Sequence, residues 1–166
     1  MEVTGNQTRK LLAKLREKIP DLVLRTTFIV GYPGETEKEF QELCDFVEEF
    51  KFEKMGTFTY SMEENTESYT LGDPVQEEIK KERQNRLMEI QREISAEKNR
   101  ELVGKELKVL VEALEGDFYI GRTYRDAPEV DGEVLMSADN GRISLGNFYN
   151  AIVYDSNEYD LFAKIN

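Results

Sequence analysis

The chain has 166 residues and is strongly acidic, with 34 Asp and Glu against 22 Lys and Arg and a formal charge of −12 at pH 7. Such a surface repels nucleic-acid phosphate unless basic side chains are segregated into a patch; it favours a basic polypeptide partner or serves solubility alone. One cysteine and no histidine leave no disulfide, no obvious transition-metal site, and too few thiolates for this chain to hold an iron–sulfur cluster by itself.

The first helix is expected over residues 6–18, where Leu11, Leu12, Leu15 and Ile19 recur at helical spacing and Asn6 or Thr8 can cap the start. Pro20 stops it. A strand follows over 23–30, and its stretch Thr26-Thr27-Phe28-Ile29-Val30 is β-branched, apolar and suited to burial on both faces. Gly31, Pro33 and Gly34 then turn the chain sharply, and Thr36 with Glu39 makes a capping box that opens a helix. Strand, glycine turn and helix N-terminus in succession form a standard place for a nucleotide-like ligand. The same arrangement also serves as a plain connection, and no Gly-Lys-Ser/Thr marks a phosphate-cradling loop.

From Glu37 to Phe50, the residues Phe40, Leu43, Cys44, Val47 and Phe50 form one apolar helical stripe, which makes Cys44 a buried structural thiol rather than a nucleophile. A second strand is expected over Lys54–Tyr60. Strand, helix, strand implies parallel pairing across a helical crossover, as in part of a (β/α) barrel. Two such strands cannot close a barrel, and their edges need partners. Residues 62–72 read as a polar loop. Asp73 as cap, Pro74 at the first position and Gln76 at the third open a long helix running to about Val103 and ending at Gly104. Ile79, Leu87, Ile90, Ile94 and Leu102 give it a thin apolar face, with Glu82 and Arg86 paired on the wetter side.

At Lys105 the hydrophobic period changes from 3.6 to 2. Leu107–Val111, Phe118–Tyr124, Glu133–Met136, Phe148–Tyr154 and Tyr159–Ala163 read as short strands, with turns at Glu115-Gly116-Asp117 and Asp139-Asn140-Gly141. They suggest a small five-stranded antiparallel barrel of the oligonucleotide-binding (OB-like) type. Residues 105–166 carry six basic and twelve acidic side chains, a net of −6, with no Lys/Arg cluster and no aromatic–basic interleaving. That charge fits steering of a basic polypeptide better than RNA binding; an acidic surface kept for solubility is the competing reading. The expected fold class is α/β plus all-β, divided at 1–72, 73–104 and 105–166.

The block Arg25-Thr26-Thr27-Phe28-Ile29-Val30-Gly31-Tyr32-Pro33-Gly34-Glu35-Thr36 resembles the fifth barrel strand and following turn of the methylthiotransferases, a radical S-adenosylmethionine (SAM) family. Phe58-Thr59-Tyr60-Ser61, followed by Glu64 and Thr66, is similar to the family's sixth strand and its loop. Residues 105–166 resemble its terminal TRAM barrel. The resemblance covers essentially the whole sequence and implies the C-terminal part of such an enzyme: a partial radical SAM (β/α) barrel, a linking helix and a TRAM β-barrel. Residues 121–132, Gly-Arg-Thr-Tyr-Arg-Asp-Ala-Pro-Glu-Val-Asp-Gly, look like the branch that modifies an aspartate of small-subunit ribosomal protein S-twelve. The sister branch modifies adenosine in tRNA.

The resemblance implies S-adenosylmethionine and two 4Fe–4S clusters as cofactors of the parent enzyme. One cluster is held by a three-cysteine motif and the other by an N-terminal domain. Reductive cleavage of S-adenosylmethionine abstracts a hydrogen from the target carbon, and sulfur and then a methyl group are installed. None of those cysteines stands in this sequence, so the chain alone is expected to be inactive and to work with the missing N-terminal part of the same enzyme. No catalytic residue and no metal ligand is assigned to it.

Ile29 and Gly31, with Gly34 in the turn, match the strand end that packs on the adenine of S-adenosylmethionine. Phe58 and Tyr60 match the sixth strand, whose end borders the same cofactor; barrel core or helix packing is the other reading of both. The family's Gly-Ile-Gly-Glu pattern is imperfect, with Thr27 in place of the first glycine and Glu35 one position late. Tyr124, Asp126, Glu129 and Asp131 are candidate contacts with the substrate protein, S-twelve or the small ribosomal subunit, against the reading of an exposed, turn-rich loop. A tRNA-modifying enzyme and a non-enzymatic OB-like binding module are the alternatives. No apolar run approaches bilayer-spanning length and the start is no signal peptide, so no membrane partner and a cytoplasmic location are expected.

Overall fold

The structure, a computed structural model, describes residues 4–138 and 143–165. The chain divides into two compact units, one ending at Gln91 and the other starting at Arg92.

In the first unit, helix α1 (Gly5–Lys18) starts before either expected cap. The Thr4 hydroxyl accepts from the Gln7 N–H, and the Gln7 side-chain oxygen accepts from the Thr4 N–H, a complete capping box. Strands β1 (Arg25–Val30) and β2 (Lys54–Thr59) pair in parallel, Arg25 opposite Lys54 through Val30 opposite Thr59. Helix α2 (Glu37–Phe50) crosses between them, capped by Thr36 and Glu39 as its sequence requires. Its Phe40, Cys44, Val47 and Phe50 are buried, and burial pushes the Cys44 thiol up from its ordinary pKa. On β1, Phe28 meets Phe46 and Phe52 edge to face, with centroids 6.3 and 6.0 Å away.

The expectation that β1 is buried on both faces is not met. Val30 is fully buried, but Arg25, Thr27 and Ile29 on the alternate face are exposed, Ile29 by 56%. Successive side chains point to opposite faces, and among the described residues helices pack on only one of them.

Helix α3 (Glu77–Arg100) begins later than Asp73-Pro74 suggests. The Gln76 carbonyl accepts from the N–H groups of Ile79 and Lys80, while the Asp73 carboxylate accepts from Lys80 Nζ at 2.6 Å. The loop ahead of it contains a 3-10 turn, Glu67–Leu71, closed by Gly72. Arg86 reaches the Glu37 carboxylate at 3.3 Å and the Gln41 side chain, in place of the expected partner Glu82. The stripe that α3 buries is Lys80, Arg83, Leu87, Gln91 and Ile94, more polar than a core face usually is.

In the second unit, strands β3 (Glu106–Glu115), β4 (Phe118–Arg122), β5 (Val134–Ser137), β6 (Phe148–Ser156) and β7 (Leu161–Ile165) close in the order β3-β4-β5-β7-β6. The barrel is mixed rather than wholly antiparallel, because β5 and β7 run parallel. Parity requires this: directions cannot alternate all the way around an odd ring, so one neighbouring pair must agree. Val109, Val111, Val134, Met136, Ala151, Val153, Leu161 and Ala163 fill the interior, and Leu102 joins them from the segment before β3. Register shifts after Val111 and after Val153 bend two of the strands to close the ring. Gly121 lets β4 approach β3, since a Cβ there would stand 2.6 Å from the Leu110 carbonyl oxygen. The turn at Glu115-Gly116-Asp117 is present, with Gly116 at φ +56°. The expected turn at Asp139-Asn140-Gly141 lies outside the described residues. Among the described residues no helix is long and apolar enough to cross a membrane.

Candidate functional site

The carboxyl ends of β1 and β2 form one wall of a cleft of about 420 Å³. Ile29 and Phe58 are register partners on the uncovered sheet face, 56% and 63% exposed. Large apolar side chains left open side by side mark a surface meant to be covered. Tyr60 follows β2, and its N–H donates to the Val30 carbonyl at 2.8 Å, which keeps the two strand ends together. Its ring meets Tyr32 edge-on at 5.3 Å, and its hydroxyl donates to the Ser68 carbonyl at 3.2 Å. Ser61, Glu63, Thr66 and Ser68 complete a polar rim. The Ser61 hydroxyl donates to Glu63 at 2.9 Å, and the Thr66 hydroxyl donates to the Glu63 carbonyl at 2.8 Å. An apolar and aromatic floor beside hydroxyls and a carboxylate suits a flat heteroaromatic ring bearing a polar substituent.

Of the residues singled out from sequence, Ile29, Phe58 and Tyr60 line this cleft. Gly31 and Gly34 shape the turn beside it, at φ +74° and +91°, where L side chains are strained. The Gly31 N–H donates to Glu35 Oε1 at 2.9 Å, and a Cβ on Gly31 would collide with Lys80 Cγ. Tyr32, Ser61 and Thr66 stand in the quoted motifs without being candidate site residues, and Glu63 and Ser68 stand in neither; an aromatic residue inside the Gly-Tyr-Pro-Gly turn is the signal that points to Tyr32. Beneath the cleft, α3 contributes two buried cations, Lys80 and Arg83, that its apolar periodicity gives no sign of. Lys80 Nζ donates to the Tyr60 carbonyl at 3.0 Å, Asp73 at 2.6 Å and Glu77 at 2.8 Å. Burial opposes its charge, but Asp73 and Glu77 outweigh that effect and hold the ammonium above its ordinary pKa. Arg83 donates to the Glu35 carboxylate at 2.6 Å and to its carbonyl at 3.2 Å.

The residues present fit one side of the adenine end of S-adenosylmethionine: Ile29 and Phe58 offer a flat apolar contact, with Tyr32, Tyr60 and the rim around it. They do not fit an iron–sulfur cluster. The single cysteine, Cys44, is 1% exposed inside the α2 stripe, and among the described residues no group of three His, Cys, Asp or Glu side chains could hold a metal ion.

In the second unit, the 123–132 segment is a hydrogen-bonded projection. Asp126 Oδ2 accepts from the Thr123 N–H and hydroxyl at 3.1 and 2.7 Å, and Asp131 Oδ2 accepts from the Ala127 N–H at 2.6 Å. Gly132 lies against the Tyr159 carbonyl so closely that a Cβ there would overlap it, and the Glu133 N–H donates to Asp160 at 3.0 Å. Glu129 sits at φ +61° at the tip, with Tyr124 71% and Val130 73% exposed. Tyr124 and Glu129 therefore project outward, while Asp126 and Asp131 each commit an oxygen to the loop itself.

Residues 103–165 match the family model of the TRAM domain. Over 159 residues the chain is 48% identical to a ribosomal protein uS12 methylthiotransferase RimO of Cytophaga hutchinsonii, an alignment covering 96% of this chain and 36% of that protein. Proteins of the same name from Christiangramia forsetii and Thermotoga maritima are 45% and 44% identical over 161 and 162 residues, covering 97% and 98% of this chain and 36% and 37% of theirs. The chain thus spans little more than a third of the length of these curated relatives.

Proposed function

We propose that the chain, which is similar over nearly its whole length to RimO-type methylthiotransferases, forms their C-terminal part and supplies a cofactor wall and a substrate-docking barrel to an enzyme that methylthiolates an aspartate of ribosomal protein S-twelve. The observation that carries this reading is the 48% identity across 96% of the chain to a uS12-modifying relative. We read residues 1–72 as the closing portion of a radical SAM barrel, 73–104 as the linking helix and 105–166 as the TRAM barrel. A ribosomal substrate puts this work in the cytoplasm.

S-adenosylmethionine, when bound, supplies the radical and methyl-donating chemistry, together with clusters whose ligands belong to the rest of the enzyme. Ile29 and Phe58 cover one face of the adenine, and Tyr60 with Tyr32 closes its edge. Gly31 and Gly34 keep the turn low enough not to obstruct the mouth. Ser61, Glu63, Thr66 and Ser68 offer hydrogen-bonding groups to the ribose side. In the barrel, Tyr124, Asp126, Glu129 and Asp131 face a basic segment of S-twelve, and the net −6 of residues 105–166 steers it. With one buried cysteine, the chain does not turn over by itself.

Binding of purified S-twelve and of tRNA to the chain tests this reading. S-twelve is expected to bind more tightly, with affinity falling as salt rises from 50 to 300 mM, as screening of a charged interface demands. Tighter binding of tRNA would transfer the chain to a tRNA-modifying enzyme.

A further inference from the structure

We infer that Lys80 is the positioning residue of the cleft: it holds the ends of β1 and β2 in the register at which Ile29, Phe58 and Tyr60 form one continuous wall. This rests on the reading of that wall as the S-adenosylmethionine contact. A fully buried lysine is uncommon and unfavourable unless every donor is used. Here Nζ uses all three, on the Tyr60 carbonyl, Asp73 and Glu77, at 3.0, 2.6 and 2.8 Å. The same side chain touches the end of the other strand, because its aliphatic stem lies where a Cβ of Gly31 would be. One residue therefore fixes both strand ends where they enter the cleft. One helical turn further on, Arg83 holds Glu35, whose carboxylate in turn takes the Gly31 N–H.

The rest of α3 shows that this is more than general packing. The helix lays a row of donors along β2 and its approach: Gln91 to the Phe52 carbonyl at 3.0 Å, Gln84 to the Thr57 carbonyl at 2.7 Å, and Lys80 to the Tyr60 carbonyl. The two neutral amides hold the strand away from the cleft. The cation, braced by two carboxylates, stands where the strand becomes cleft wall and where Tyr60 packs on Tyr32. A binding wall needs placement within a fraction of an ångström, and a braced charge-assisted bond supplies it better than an amide does.

The test is a titration of S-adenosylmethionine into the full chain, read by the NMR signals of Ile29 and Phe58, with thermal unfolding measured in parallel. Lys80→Met keeps the stem and removes the donors; it is expected to weaken binding about ten-fold. Gln91→Leu removes a buried donor from the same helix and is expected to lower the melting temperature while changing affinity less than two-fold. Asp73→Asn with Glu77→Gln releases the braces without touching the interior and is expected to weaken binding about three-fold, which keeps the proposal open to refutation if Lys80→Met does not fold. Affinity within two-fold of wild type in Lys80→Met, an unchanged affinity in the Asp73/Glu77 variant, or an equal loss in Gln91→Leu overturns the role of Lys80 and leaves the cofactor wall standing. Absence of any shift at Ile29 and Phe58 in the wild-type chain overturns both.

Discussion

Burial works against the charge of Glu53, but the Arg16 guanidinium at 2.9 Å and the Leu24 N–H at 2.9 Å outweigh it and hold the carboxyl below the usual glutamate range. Arg16 also donates to the Phe50 and Lys51 carbonyls at 2.9 and 3.0 Å, so this pair fastens α1 to the end of α2 and the start of β2. A depressed carboxylate stabilises the folded state fully above its unfolded pKa of about 4.3, and that contribution is lost as pH falls through the lower folded value. Glu53→Gln is expected to cost about 1–3 kcal/mol at pH 7 and to flatten the fall in melting temperature between pH 5 and pH 3. Melting curves across that range check it; a variant that declines as steeply as wild type would assign the acid sensitivity to other carboxylates.

At the scale of elements, the two faces of the β1–β2 pair have different tasks. Phe28 packs on Phe46 of α2 and Val30 is fully buried, so their truncation would be a core substitution. Ile29 and Phe58 are mostly exposed, so Ile29→Thr with Phe58→Thr is expected to change stability by no more than about 0.5 kcal/mol per site. S-adenosylmethionine affinity should fall at least about ten-fold with the loss of that apolar contact. Urea unfolding beside the same ligand titration separates the two effects. Element by element, legibility in the sequence followed distance along the chain. The α2 helix could be read whole, because Thr36, Glu39 and the stripe from Phe40 to Phe50 lie within the helix they define. The start of α3 could not. Asp73 and Pro74 have the composition of a cap, but the Asp73 carboxylate is drawn to Lys80, and the residue that needs Lys80 most, Tyr60, stands 20 positions upstream. The exposure of Ile29 was likewise hidden, since Thr-Thr-Phe-Ile-Val has the same composition whether the second face is covered or bare.

Over the whole molecule, two hydrophobic cores coexist, one around Val30, Phe40, Val47 and Leu87 and the other inside the closed barrel. Gly121→Ala tests how separate they are. Its methyl group would press on the Leu110 carbonyl and on Val109, an overpacking expected to destabilise the barrel by about 1–3 kcal/mol. Amide hydrogen exchange should accelerate in 106–165 while protection over 37–60 stays at its wild-type level; equal loss in both would show one cooperative unit. The five strands and the acidic character of the barrel could be read from composition and period, but the parallel β5–β7 contact could not, because it follows from closing an odd ring and from no local pattern.

The contact between Gly31 and Lys80 also constrains how such a protein can change over generations. A first step at position 31 sets a methyl group against a buried stem and strains a backbone held at φ +74°. A first step at position 80 strands Asp73 and Glu77 beside each other and releases the Tyr60 carbonyl. Neither path is smooth alone, so the two positions, 49 residues apart in sequence, form a single unit of inheritance: a lineage keeps both or must replace both in close succession.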